Sequence, residues 1–145
     1  MASILPGGLL VAPSGPGLAG SLVEDPAYAE ALDAADVVLP DSGLMILLWN
    51  SLGRRRAPRL NRVSGLEFLE CFLSDADAKS QLGDSFWVMP TLEEKSGNQQ
   101  WLARDLGLDV PEASTYVAPM YSGTGPVQDE ALLQALKDRR PTVVF

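Results

Sequence analysis

Short apolar runs, each closed by a turn residue, alternate along the chain with longer segments of helical period. Residues 8–12 (GLLVA), 36–39 (DVVL), 85–89 (SFWVM), 114–118 (STYVA) and 142–145 (TVVF) are too short for helices. Their β-branched and aromatic content predicts strands. Between them, Leu18, Leu22, Tyr28, Ala31 and Leu32 mark a first helix, with Asp25-Pro26 as N-cap and first-turn proline of its main part. Residues 44–49 are wholly apolar and predict a helix from about Ser42 to Leu52, stopped by Gly53 and buried on every side. Ser64-Gly-Leu-Glu67 is a capping box that opens a helix carrying Phe68, Leu69, Phe72 and Leu73. Thr91-Leu-Glu-Glu94 is a second box, opening a helix that runs to Leu106 with Gly107 as its stop. A last helix covers residues 128–137.

Strands and helices in this alternation predict an α/β fold: a Rossmann-like, mostly parallel sheet with helices on both faces. At 145 residues, the chain is expected to be a single domain after a loose lead-in at residues 1–7. The pattern stops at Phe145 as a strand begins, which reads as truncation at the C-terminus of a longer protein.

Composition narrows the chemistry. The chain has no histidine and one cysteine, which removes Ser-His-Asp and Cys-His catalysis, disulfides, and His or thiolate metal sites within it. Cys71, among Phe68, Leu69, Phe72 and Leu73, is expected in the core. Eleven basic against nineteen acidic residues give a net charge of −8, which argues against nucleic acid as a partner. Arg54, Arg55, Arg56, Arg59 and Arg62 nevertheless cluster; they form either a solvated loop or a phosphate-binding one. No apolar run reaches the length of a membrane span, and the N-terminus lacks a signal peptide's basic flank, so a cytoplasmic protein is expected.

Asp41 follows the second strand directly, at the end where open α/β sheets bind ligands. Asp41 or Ser42 would cap the apolar helix, and capping alone would account for either residue. Gly15-Pro-Gly17-Leu-Ala-Gly20 fits the dinucleotide pattern G-x-G-x-x-G, with Asp41 at the spacing of the ribose-binding acid. Pro16 in its turn and Asp25-Pro26 in its helix depart from that pattern.

The order ADVVLPDSG, then NRVSGLEFLE, FWVMP and YVAPMY resembles the WecG/TagA/CpsF family of bacterial glycosyltransferases. The resemblance covers nearly the whole chain from about Leu9. It implies an inverting, metal-independent transferase that needs no cofactor and acts in cell-envelope polysaccharide assembly. Its partners would be a UDP-sugar donor carrying an N-acetylmannosamine-like sugar and a lipid-pyrophosphate-linked acceptor. A peripheral contact with the inner face of the membrane and a homo-oligomer stay open. Asp41 matches the family's aspartate and would serve as general base, with Ser14 near the family's threonine/asparagine turn as its catalytic partner. Arg62 matches the family's arginine and would meet phosphate charge. Ser42, Gly43, Gly65, Thr91 and Tyr121 complete the expected substrate contacts, Thr91 through a helix N-terminus. The chain reads Pro40-Asp41-Ser42 where the family reads PDG, and Pro13-Ser14-Gly15 where it reads Thr-x-Asn. The family's GxPkQE segment would fall past Phe145. A non-catalytic nucleotide-sugar binder and a dinucleotide-binding domain are the alternative readings.

Overall fold

The computed structural model describes residues 8–13, 15, 20, 24–52, 58–80, 82–121 and 127–145. Two compact units divide the chain: Met1–Glu70 with Thr124–Pro126, and Cys71–Gly123 with Val127–Phe145.

In the first unit, strand β1 (Leu10–Val11) pairs in parallel with β2 (Val37–Val38), Leu10 opposite Val37 and Val11 opposite Val38. The backbone ladder extends further, from Leu39 N–H to Val11 O at 2.8 Å. The Asp36 carboxylate adds a side-chain rung by accepting from Leu9 N–H at 2.8 Å. Helix α1 (Pro26–Asp33) makes the crossover a parallel pair requires. It starts as expected: Asp25 accepts from the N–H groups of Ala27 and Tyr28, and Pro26 stands where its missing N–H costs nothing. Helix α2 (Gly43–Leu52) follows β2 within a few residues.

Two expectations fail here. Strands β1 and β2 were expected to be buried, yet Leu10, Val37 and Val38 are all exposed. Helix α2 was expected to be enclosed on every side, yet none of its residues is buried. Apolar sequence measures how favourable burial would be; cover from other elements decides whether it happens.

Helix α3 (Gly65–Ser74) starts after Ser64 as the capping box predicted, and the boundary between the units falls within it. Leu73 on this helix is fully buried, while Cys71 is exposed, contrary to expectation. At 100° per residue, Phe68, Leu69, Phe72 and Leu73 form one stripe, and Cys71 lies with Glu67, Glu70 and Ser74 on the other.

The second unit holds a three-stranded parallel sheet in the order β4 (Thr115–Val117), β3 (Ser85–Met89), β5 (Val143–Val144). Short helix α4 (Ala76–Ser80), capped by Asp75, precedes it. Helix α5 (Leu92–Leu106) joins β3 to β4 and ends at Gly107, which is left-handed at φ 65°. Helix α6 (Glu130–Arg139) joins β4 to β5 across β3. Register puts Trp87 and Met89 on one face, with Phe145 beside Trp87, and Tyr116 on the other beside Val88. Asn98 of α5 reaches Met89 Sδ, whereas the Asp129 cap of α6 receives the Tyr116 hydroxyl. Helices therefore lie on both faces of this sheet, as the alternation predicted. Phe145 stacks on Trp87 with centroids 4.2 Å apart and meets Phe72 at 6.2 Å.

Candidate functional site

The chain returning from α2 is tied along that helix by side chains from the helix itself. Asn50 donates to Leu60 O at 2.8 Å and accepts from Leu60 N–H at 3.0 Å, and Trp49 Nε1 donates to Pro58 O at 3.1 Å. With Leu60 fixed, Val63 N–H donates to Pro40 O at 3.2 Å, and Arg62 lies beside Asp41. The Arg62 guanidinium grips Asp41 three ways: Nε to the backbone O at 2.8 Å, Nε to Oδ1 at 3.2 Å, and Nη2 to Oδ1 at 2.9 Å. Oδ2 accepts from Gly65 N–H, the first turn of α3, at 3.1 Å. A Cβ at position 65 would stand 2.9 Å from Ala12 Cβ, so a side chain there would push α3 away from the ends of β1 and β2.

Asp41 thus caps the helix that begins at Gly65. Ser42 is the residue that caps α2, its buried Oγ accepting from Met45 N–H at 3.3 Å. Gly15 lies close to the same hydroxyl, since a Cβ there would come within 3.0 Å of Ser42 Oγ. The segment after β1 and the turn after β2 therefore meet at one place. The Gly65 N–H, and next the Arg62 hydrogen bonds, hold the Asp41 carboxyl below the ordinary aspartate value of 3.8. The carboxylate is charged and partly exposed, with Arg62 largely in solvent.

Of the residues expected to form a site, Asp41, Ser42, Gly43, Arg62 and Gly65 come together in the first unit. Ser14 and Gly17 lie outside the described residues, as do Arg54, Arg55 and Arg56 of the arginine cluster. Thr91 and Tyr121 belong to the second unit, after the ends of neighbouring strands β3 and β4. The Thr91 hydroxyl closes its own capping box, accepting from Glu94 N–H and donating to Glu94 Oε2, both at 3.1 Å. The Tyr121 hydroxyl donates to Asp129 Oδ2 at 2.6 Å.

Sequence reasoning missed Asn50, Asp129 and Tyr116. Asn50 carried a signal, being the first polar residue after the apolar run of α2. Asp129 carried one too, as an aspartate directly before a glutamate at a helix start. It caps α6 through Leu132 N–H at 2.9 Å and accepts from both Tyr116 and Tyr121. The Tyr121 phenol is pushed from 10.0 up to about 12, first by its hydrogen bond to that carboxylate and then by desolvation. The same bonds lower the Asp129 carboxyl, Tyr121 contributing most.

Among the described residues, no cluster of His, Cys, Asp or Glu is placed to hold a metal ion, and no helix is long and apolar enough to cross a membrane. The model of the glycosyl transferase WecG/TagA/CpsF family matches residues 7–145. The chain belongs to this family. No curated protein and no solved structure matches it. Membership in the WecG/TagA/CpsF family makes glycosyl transfer the activity class, and the match takes in both units.

Proposed function

We propose that the chain transfers an N-acetylhexosamine-type sugar, N-acetylmannosamine-like, from a UDP-linked donor to a lipid-pyrophosphate-linked acceptor. The transfer inverts the anomeric centre, uses no metal ion, and serves cell-envelope polysaccharide assembly at the inner face of the membrane. The observation that supports this reading is the Asp41 carboxylate, charged and gripped by Arg62 and the Gly65 N–H beside the carboxyl end of β2. In such a transfer, the acceptor hydroxyl oxygen bonds to the anomeric carbon while that carbon's bond to the donor phosphate oxygen breaks. UDP leaves with the electron pair, and the hydroxyl proton passes to a base.

Asp41 is that base. Held by the Gly65 N–H and by Arg62 it is a weak one, because both stabilise its charge. The fork that fits Asp41 also fits a pyrophosphate, so the donor draws Arg62 away and takes the charge compensation with it. Asp41, still bonded to the Gly65 N–H, then regains the part of its basicity that Arg62 suppresses when the acceptor hydroxyl arrives. Ser42, Gly43 and Gly65 line the turn where the donor phosphates sit, and Ser14 orients the acceptor.

Calorimetry with UDP-sugar, UDP and NAD, run beside a transfer assay, tests this. Asp41→Asn should leave donor affinity nearly intact and lower turnover by ~10²–10⁴-fold. Arg62→Ala should weaken both. Full activity of Asp41→Asn would remove the base from the scheme. NAD binding without UDP binding would favour a dinucleotide site, and UDP-sugar binding without transfer a plain binder.

A further inference from the structure

Helix α2 carries one side chain that its apolar neighbours do not explain. Leu44, Leu47, Leu48 and Leu52 form an open aliphatic stripe, whereas Trp49 and Asn50 lie on the other side, toward the returning segment. Asparagine is a poor helix former, because its short amide competes for backbone hydrogen bonds. Here that amide is turned on Leu60, ten residues on. It donates to the Leu60 carbonyl at 2.8 Å and accepts from the Leu60 N–H at 3.0 Å. One side chain thus meets both backbone groups of one residue, as a neighbouring strand does in an antiparallel ladder.

Arg62 stands two residues beyond that anchor. Val63, the next residue, is fixed in turn by its N–H to Pro40 O at 3.2 Å. The Arg62 backbone is therefore held on both sides, while its side chain is 60% exposed. Hydrogen bonds as open to water as those of Asn50 add little to stability. What they fix is position. An arginine on an anchored backbone loses less freedom when its guanidinium seats on an anion.

We propose that Asn50 is a positioning residue, which through Leu60 holds Arg62 within reach of both Asp41 and the donor phosphates. The donor half rests on the function proposed above; the Asp41 half does not. With the chain beneath it held, the guanidinium changes partner from carboxylate to phosphate by side-chain rotation alone. Asn50 touches neither partner and acts only through Arg62.

Carbon-13 NMR titration of the Asp41 carboxyl, without ligand, reads the first half. That carboxyl lies below 3.8, held there by the Gly65 N–H and next by Arg62. Arg62→Ala should raise it toward 3.8, and Asn50→Ala should raise it in the same direction with Arg62 intact. Asn50→Leu, close in size and a good helix former, should do the same. A role confined to stability would move the urea midpoint and leave this titration in place. Asn50→Ala with Arg62→Ala should titrate as Arg62→Ala alone. Calorimetry reads the second half: each Asn50 variant should weaken UDP-sugar binding about three- to tenfold, the size of one or two lost hydrogen bonds. An Asp41 titration unmoved in both Asn50 variants, a further rise in the double variant, or UDP-sugar binding that both variants retain in full overturns the proposal. If the unaltered chain binds no UDP-sugar but the titration moves as expected, the proposed function falls and Asn50 still positions Arg62 on Asp41.

Discussion

The two units place their apolar residues differently. In the second, Leu73 and Leu102 are sealed from solvent, and Phe86, Trp87 and Met89 are buried on a sheet with helices on both faces. In the first, Leu39 is the one large apolar side chain buried among the described residues, and β1, β2 and α2 are open. Yet the first unit holds Asp41 and Arg62. Its geometry rests on polar ties open to solvent, Asn50 to Leu60 and Asp41 to Arg62 and Gly65, which water weakens. Rigidity from packing and placement of reactive groups are thus separated in this chain, which fits the general rule that binding elements come from the less stable parts of a fold.

That contrast can be broken by experiment. Leu102→Ala should cost about 2–5 kcal/mol in urea unfolding, because it empties a site with no solvent access. A loss below ~1 kcal/mol would mean that the second unit is no better packed than the first. Asp129→Ala comes next, at about 1–2 kcal/mol: it removes the α6 cap and leaves two phenols without their shared acceptor.

A pH titration sharpens the picture. The Tyr121 phenol is raised from 10.0 to about 12 in the folded chain, so the folded state binds that proton more tightly. Its contribution to stability is complete below pH 10 and is lost as pH rises through about 12. Phenolate absorbance should show Tyr121 ionising near 12, with Tyr116, raised by burial and by its bond to Asp129, also ionising above the ordinary value, and Tyr121→Phe should remove the step near 12. If all tyrosines ionise together near 10, the Tyr121–Asp129 bond does not persist in solution. The smallest effect belongs to Leu47→Ala on the open stripe of α2, under ~0.5 kcal/mol. A cost in the range of a core cavity would show the stripe covered by the chain itself.

Local chemistry written in single residues was legible without coordinates. Asp25-Pro26, Ser64 and Thr91 start helices where they should, Gly107 ends one, and residues 85–89 form the expected strand. Arg62 and Gly65 were named beside Asp41 from the family resemblance and not from spacing; hydrogen bonds from Trp49 and Asn50 to the returning segment accompany their meeting in the structure. Cys71 was misplaced although the helical period of its neighbours put it on the outer side.

What the sequence determined by itself was the strands and the longer helices, though not the short helix Ala76–Ser80, with their parallel sense and the aspartate at a strand end, since propensity, capping and turn residues act within a few positions. Tertiary structure decided which apolar runs are covered and which carboxylates are shared. Residues 44–49 are as apolar as any core helix, and their exposure follows from what packs against them. Asp129 serves two tyrosines and a helix end at once because α6 folds back over β4, bringing together groups that no local pattern connects.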